Sequence, residues 1–201
     1  MMFKGVKPFK TEDTFIAPSA SVIGDVTNWD ESSVWYGAVV RADSNHNIQI
    51  GFQSNVQDRA VITTLSPKKE LLDSGFPSIC HIGHYVSVGA GSVLKSCYIE
   101  NRVMIGEKCT IMEGAIVESN VILEPGTVVP PYARIIGGKR YGGNPAQCLG
   151  DLNGDEKSSI KEKSEKIHLM AQEHTVEYLP YGYSYVQLEE LEKKGTETAK
   201  G

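Results

Sequence analysis

No run in this 201-residue sequence approaches the ~18 consecutive apolar residues that a membrane-spanning helix needs, and the N-terminus has no secretory apolar core. Any contact with a membrane therefore has to come through something else. Basic residues are in deficit: 20 Lys and Arg against 25 Asp and Glu leave a formal net charge of -5. That balance excludes a nucleic-acid binder that works through a basic face. The four cysteines, Cys80, Cys97, Cys109 and Cys148, include no C-x-x-C pair, so neither a zinc ribbon nor a redox dithiol is signalled, and a reducing compartment fits best. The opening MMFKGVKPFK has three lysines but no arginine or serine, and is too short for a standard mitochondrial presequence. At 22.0 kDa the chain is long enough for one buried domain with an appendage.

What is present is a repeat. An aliphatic residue returns at every sixth position: Ile16, Val22, a break at Asn28, then Val34 and Val40; Ile50, Val56 and Ile62; Ile82, Val88 and Leu94. After one spacing of five, the longest run is Ile99, Ile105, Ile111, Val117, Leu123, Val129 and Ile135. A period of six matches neither the 3.6 of a surface helix nor plain strand alternation, but it suits short strands separated by tight corners. The residue four places after each aliphatic one is usually small or branched, as at Ala38, Ala60, Val86, Ser92 and Ala115. It lies two before the next aliphatic residue, so both face the same side. Three hexads closing into a triangular coil would stack aliphatics at one depth on every coil, with Gly, Asn and Asp at the corners. The expected fold class is all-β: a parallel β-helix of hexapeptide repeats over residues 16–146, after an arm of residues 1–15 and before an α-helical tail of residues 147–201. Coils rising about 4.8 Å each, roughly six of them, make a prism on the order of 30 Å long.

Residues 64–80, TLSPKKELLDSGFPSIC, carry no hexad and two prolines, which predicts a loop thrown out from one corner. If Ile82 resumes the face that residue 68 would have occupied, the loop inserts fourteen residues. Ile62 and Leu94 are then one coil apart, and Thr63 stacks beside Lys95 at about 4.8 Å. Beyond YGGNPAQCLG, the stretch DEKSSIKEKSEKIHLMAQEHTVEYL is rich in helix formers. Asn153 or Asp155 is placed to cap it, and Ile160, Ile167, Met170, Ala171 and His174 fall near one stripe. YVQLEELEKK is a candidate second helix. The tail helix is expected to cover a flank of the prism or of a neighbour, or else to dock a dedicated partner.

Four segments, VWYGAVVRADSNHNIQIG, NVQDRAVI, IGHYVSVGAGSVL and GGNPA, in this order around a six-residue period, resemble the gamma-class carbonic anhydrases over roughly residues 14–150. The resemblance implies a left-handed β-helix, a trimer, and a zinc ion bound between neighbouring subunits by three histidines. In active relatives one histidine follows N-x-Q-D by five residues and two more form G-H-x-x-x-x-H on the next coil. Carried onto this sequence, the three positions are Thr63, Ala90 and Lys95, so all three histidines are missing. The same resemblance implies that positions 63 and 95 act from one subunit while position 90 reaches across from its neighbour. Zinc needs about four imidazole, thiolate or carboxylate donors, and catalysis uses the water it activates. A Thr hydroxyl is a poor donor, an Ala methyl is none, and a protonated Lys puts a positive charge where the ion would sit. No metal, cofactor or catalytic residue is expected. Arg41, Asp43, Gln57 and Asp58 match positions that line the inter-subunit cleft in the family, where the Arg and the first Asp resemble an ion pair between subunits. His81 and His84 supply no third donor at a suggestive spacing, His46 falls on a turn in DSNHN, and His168 and His174 belong to the tail helix.

The segments YVSVGAGSVLKSCYIE, IMEGAIVESNVILEPGTVVPP and EYLPYGYSYVQLEELEKK narrow the likeness. They are similar to the gamma-carbonic-anhydrase-like subunits of mitochondrial respiratory complex I. That resemblance implies a non-catalytic structural subunit, in a trimer with two gamma-carbonic-anhydrase-type chains, on the matrix side of the membrane arm at the inner mitochondrial membrane. Its expected partners are those two chains and complex I membrane-arm subunits, with no nucleic acid. Two other functions stay open: a hexapeptide-repeat acyltransferase, which would need a histidine base near its cleft, and a free-standing silent homotrimer that binds a small anion.

Overall fold

In a computed structural model, which describes residues 1–3, 5–42, 47–64 and 79–177 except the side chains of 176 and 177, the hexads form three parallel sheets wrapped around one core. The first sheet stacks Phe9–Lys10, Val26–Asn28, Ile48–Ile50, Cys80–Ile82, Tyr98–Ile99, Ile116–Val117 and Arg134–Ile135. The second stacks Phe15–Ile16, Ser33–Val34, Asn55–Val56, Ser87–Val88, Val103–Ile105, Val121–Leu123 and Lys139–Gly142, with Gln147–Asp151 added antiparallel. The third stacks Ser21–Ile23, Val39–Arg41, Val61–Thr63, Val93–Lys95, Thr110–Ile111 and Val128–Val129. Successive strands of the chain visit the sheets in turn, the path of a parallel β-helix.

Register shows why the period is six. On the third sheet Val22, Val40, Ile62, Leu94, Ile111 and Val129 pair in sequence; on the second, Ile16, Val34, Val56, Val88, Ile105, Leu123 and Tyr141 do the same. Each sheet thus sends one column of aliphatics inward, and the columns meet in a single buried cluster. The chain enters this arrangement at Phe9–Lys10, paired with Thr27–Asn28, earlier than the first aliphatic hexad at Ile16. Residues 65–78 lie outside the described residues. Cys80 already pairs with Ile48, so the return strand begins two residues before Ile82. Stacking also brings Cys80 Sγ within 4.0 Å of Cys97 Sγ inside the core.

Corners between the first and second sheets take left-handed backbone at Glu31, Gln53, Tyr85, Arg102 and Asn120, with φ from 49° to 58°. Next to them the coils approach so closely that a Cβ on Gly51 would lie 2.4 Å from the Gly83 carbonyl oxygen, which restricts that position to glycine.

Helix α1 (Gly154–Glu177) lies along the second sheet, contacting Phe15–Ile16, Asn55–Val56 and Ser87–Val88. Asn153 is the cap: its Oδ1 accepts from the Glu156 N–H at 2.8 Å, and Glu156 Oε2 accepts from the Asn153 N–H at 2.8 Å, a reciprocal capping box. Arg140 bridges Glu124 and Glu156, 2.5 Å from each, and ties the first turn of the helix to the prism. Fully buried Ile160 packs with Ile122, Leu152 and Met104, and the Ser164 hydroxyl donates to the Gln53 carbonyl. The apolar stripe differs from the sequence expectation at one place: Met170 is 49% exposed, whereas Ser164 and Ala171 are buried. A 3.6-residue repeat through 160, 164, 167, 171 and 174 leaves 170 off the buried face. The candidate second helix lies outside the described residues.

The hexad break at Asn28 puts an amide in the inward column, stacked on Ile50, fully buried, with neither Nδ2 nor Oδ1 hydrogen-bonded. A buried unpaired amide costs about 1–3 kcal/mol. Asn28→Ile restores the aliphatic column and is expected to raise unfolding stability by roughly that amount in urea titration. A loss of stability would mean that the amide is satisfied by something other than protein.

Candidate functional site

The positions singled out from the sequence fall into two groups, one at each end of the third sheet's strands. At the far end Arg41, Thr63 and Lys95 stand in register on three consecutive coils. The Thr63–Lys95 pairing is the one the coil count predicts; Arg41 as the third rung was not foreseen. Arg41 and Lys95 are exposed and Thr63 is half-buried. Asp43 and His46 lie outside the described residues.

At the near end, the corner from the second sheet carries Asp58 and Ala90 on successive coils, joined by a hydrogen bond from the Gly91 N–H to the Asp58 carbonyl at 2.9 Å. Asp58 Oδ1 also accepts from the Tyr36 N–H at 3.0 Å, so its carboxylate fastens the coil before it. These residues line a groove of about 430 Å³ with Arg59, Glu107 and Lys108, in which the two signs of charge alternate. Gln57 turns toward the sheet, its Nε2 donating to Asn55 Oδ1 at 3.4 Å. Asn55 is buried and donates through Nδ2 to Ser87 Oγ at 2.9 Å. Asn55 and Asp58 of the N-x-Q-D stretch therefore hold coil to coil in this chain, while Gln57 braces Asn55 within its own coil. The buried rung of Ser33, Asn55 and Ser87 was not visible in the sequence, because it forms only when coils stack and the helix is laid over the strands of Asn55 and Ser87.

Thr63 and Lys95 share the far end of the strands, whereas Ala90 sits on the near corner, at the Ala90–Gly91 turn. The residues at these positions do not fit zinc, since the set offers a hydroxyl, a methyl and an ammonium. No other group of three His, Cys, Asp or Glu residues able to hold a metal occurs among the described residues.

The described histidines are engaged singly. His81 stacks on Tyr98, ring centroids 4.6 Å apart and 18° between planes, with Nδ1 3.3 Å from Gln49 Oε1; burial, and then the neighbouring His84, lower its pKa. His84 sits on a corner and accepts the Phe52 N–H at Nδ1, 2.9 Å away. His168 Nε2 is 3.5 Å from Glu31, and His174 sits among Phe15, Trp35 and Tyr36, its Nδ1 3.1 Å from the Tyr36 hydroxyl.

The outer face between the two groups is apolar. Val39, Val61, Val93, Thr110 and Val128 form a half-buried ridge in register along the third sheet, a face that α1 leaves uncovered.

A family described as bacterial transferase hexapeptide (six repeats) matches residues 96–131. Gamma carbonic anhydrase-like 1, mitochondrial, of Arabidopsis thaliana is 42% identical over 183 residues, which cover 90% of this chain and 70% of that protein. The chain belongs to the gamma carbonic anhydrase family. Gamma carbonic anhydrase 1, mitochondrial, of the same plant is 36% identical over 170 residues, and this gamma carbonic anhydrase relative of 201 residues spans 60% of its length. Among solved structures, a hexapeptide transferase family protein from Anaplasma phagocytophilum superposes with a TM-score of 0.78 at 26% identity, over 86% of this chain and 96% of that one.

The donor set has a direct consequence for metal content. After dialysis against chelator and then zinc, the purified protein is expected to carry far less than one zinc per chain by plasma emission. The triple variant Thr63→His, Ala90→His, Lys95→His is expected to take up zinc only in its oligomeric fraction. Stoichiometric zinc on the unmodified chain would overturn the donor argument.

Proposed function

We propose that this chain is a non-catalytic gamma-carbonic-anhydrase-like structural subunit that completes a trimer with two gamma-carbonic-anhydrase-type chains on the matrix side of the membrane arm of mitochondrial complex I. The observation that carries the reading is the occupation of the three family ligand positions by Thr63, Ala90 and Lys95. No zinc-bound hydroxide can form where no zinc is held. The likeness to a mitochondrial gamma carbonic anhydrase-like protein favours the same reading, as does the valine ridge that α1 leaves uncovered, whose apolar side chains are of the kind that a neighbouring subunit buries.

The donor arithmetic then fixes what the chain does to its partners. It contributes no ligand to either interface it shares, so in a trimer with two complete partners only the interface between those two can hold zinc. A trimer of this chain alone would hold none.

One observation favours a second reading, an acyltransferase: the fold likeness to a hexapeptide transferase family protein. Such an enzyme needs a histidine base at its cleft. Of the repeat-region candidates, His81 is stacked on Tyr98 and His84 has its Nδ1 committed to a backbone N–H.

Affinity capture of the tagged protein from mitochondria in gentle detergent is expected to recover complex I membrane-arm subunits together with two gamma-carbonic-anhydrase-type chains. Recovery of the protein alone from the soluble fraction would remove the assembly reading. A thiol-release assay with acetyl- and succinyl-CoA is expected to stay at background, and turnover there would replace it with the transferase.

A further inference from the structure

Where α1 crosses the corners between the first and second sheets, it closes a groove of about 470 Å³ lined by Phe52, His84, Tyr85, Asn101, Arg102 and Lys161. We propose that this groove binds a phosphate-class anion. Its wall is rich in hydrogen-bond donors, and two of its acceptors, His84 Nδ1 and Asn101 Oδ1, are already taken by backbone N–H groups. Arg102 donates its backbone N–H to the His84 carbonyl at 2.8 Å, which fixes the base of the side chain, while its guanidinium makes no ion pair or hydrogen bond among the described residues. Asn101 Oδ1 is occupied by the His84 N–H at 2.8 Å, leaving the Nδ2 end as donor. His84 accepts the Phe52 N–H at Nδ1, so the neutral ring carries its proton on Nε2. The Lys161 ammonium stands 5.4 Å from the centroid of the Tyr85 ring, a cation–π contact, and Tyr85 is itself braced edge-on by Phe52 at 5.6 Å and 81°.

Charge selects the ligand. A guanidinium, an ammonium, an amide and an imidazole N–H converge with no carboxylate among these lining residues. The planar fork of Arg102 matches two oxygens of one anion. A phosphate monoester or pyrophosphate presents more oxygens and more charge to these donors than a carboxylate does. The groove continues into a second stretch of about 530 Å³ that shares Arg102 and Lys161 and is lined further by Lys157, Glu162 and Glu165. Glu165 Oε1 lies 3.3 Å from Lys161 Nζ, so in the free protein it acts as the anion that a ligand displaces. The site lies on the corners between the first and second sheets and uses none of Thr63, Ala90 or Lys95, and it stands whether or not the assembly reading does.

The test is calorimetric titration of the full chain with sodium pyrophosphate at low ionic strength, alongside flotation with vesicles of neutral phospholipid with and without anionic phospholipid. Saturable pyrophosphate binding is expected. Arg102→Gln is expected to weaken it about tenfold or more, the value of a charge-assisted bidentate contact. Glu165→Gln is expected to strengthen it, and Lys163→Gln, which does not line the groove, to leave it unchanged. Glutamine is tolerated at 102, because Gln53 holds the equivalent corner at φ 49° against 57° for Arg102. The same pattern of variants on anionic vesicles without pyrophosphate binding would place the phosphate on a lipid headgroup and support the site. No saturable binding to either, or equal losses from Arg102→Gln and Lys163→Gln, would overturn it.

Discussion

Parallel stacking of coils in register is the constraint from which the rest of this molecule follows. Each strand is only two or three residues long in most of the prism, too short to be stable alone. It exists because the coil before it and the coil after it saturate its backbone and because one inward side chain per strand joins a buried column. Register in such a stack is rigid, since a slip of one residue would turn the entire aliphatic column outward. The rigidity has a chemical result: any residue one place after an inward aliphatic is delivered to the outer face at a fixed height. Arg41, Thr63 and Lys95 follow Val40, Ile62 and Leu94 in this way.

Inner and outer positions alternate, so the residues that hold the fold and the residues that could hold chemistry are different residues on the same strands. Changing all three family ligand positions leaves every inward column intact. Substitution at these outward positions therefore need not disturb the shape of the prism. What the chain keeps is consistent with that separation: Asn55 and Asp58 serve coil-to-coil contacts here, through Ser87 and the Tyr36 N–H, and these have work to do whether or not a metal is present. Helix α1 covers the second sheet and does not cover the third sheet's valine ridge, so the face that carries positions 41, 63 and 95 is one that α1 does not bury.

Much of this is legible in the sequence alone. The hexads name nearly every inward residue because a buried column tolerates little but aliphatics, and the fourteen-residue count across the loop is enough to put Thr63 beside Lys95. What was illegible depends on pairings without an inward aliphatic or on contacts between distant segments. Phe9–Lys10 joins the first sheet through backbone bonds to Thr27 and Asn28, which no pattern of side chains announces. The Cys80–Cys97 contact and the buried Ser33–Asn55–Ser87 rung arise only once coils are stacked and α1 is docked. The rotation of α1 hides in the sequence for another reason: Met170 and Ala171 are adjacent and both apolar, and only the anchors at Ile160 and Arg140 decide which of them faces in. The groove at Arg102 and Lys161 depends on that same rotation.

Magnitudes explain why a lysine at position 95 is mild for the fold and severe for a metal. Arg41 and Lys95 are two coils apart, about 9.6 Å, where two unit charges in water repel by roughly 0.4 kcal/mol, and salt reduces even that. The stack can carry both cations at negligible cost. A divalent ion placed about 4 Å from the same ammonium meets about 2 kcal/mol of repulsion in water and about 8 kcal/mol at the effective dielectric of a protein surface. The penalty comes on top of the lost imidazole donors. Closing a neighbour over this face would lower the local dielectric and raise the repulsion further, so Lys95 would count more heavily against a metal at any interface that included it.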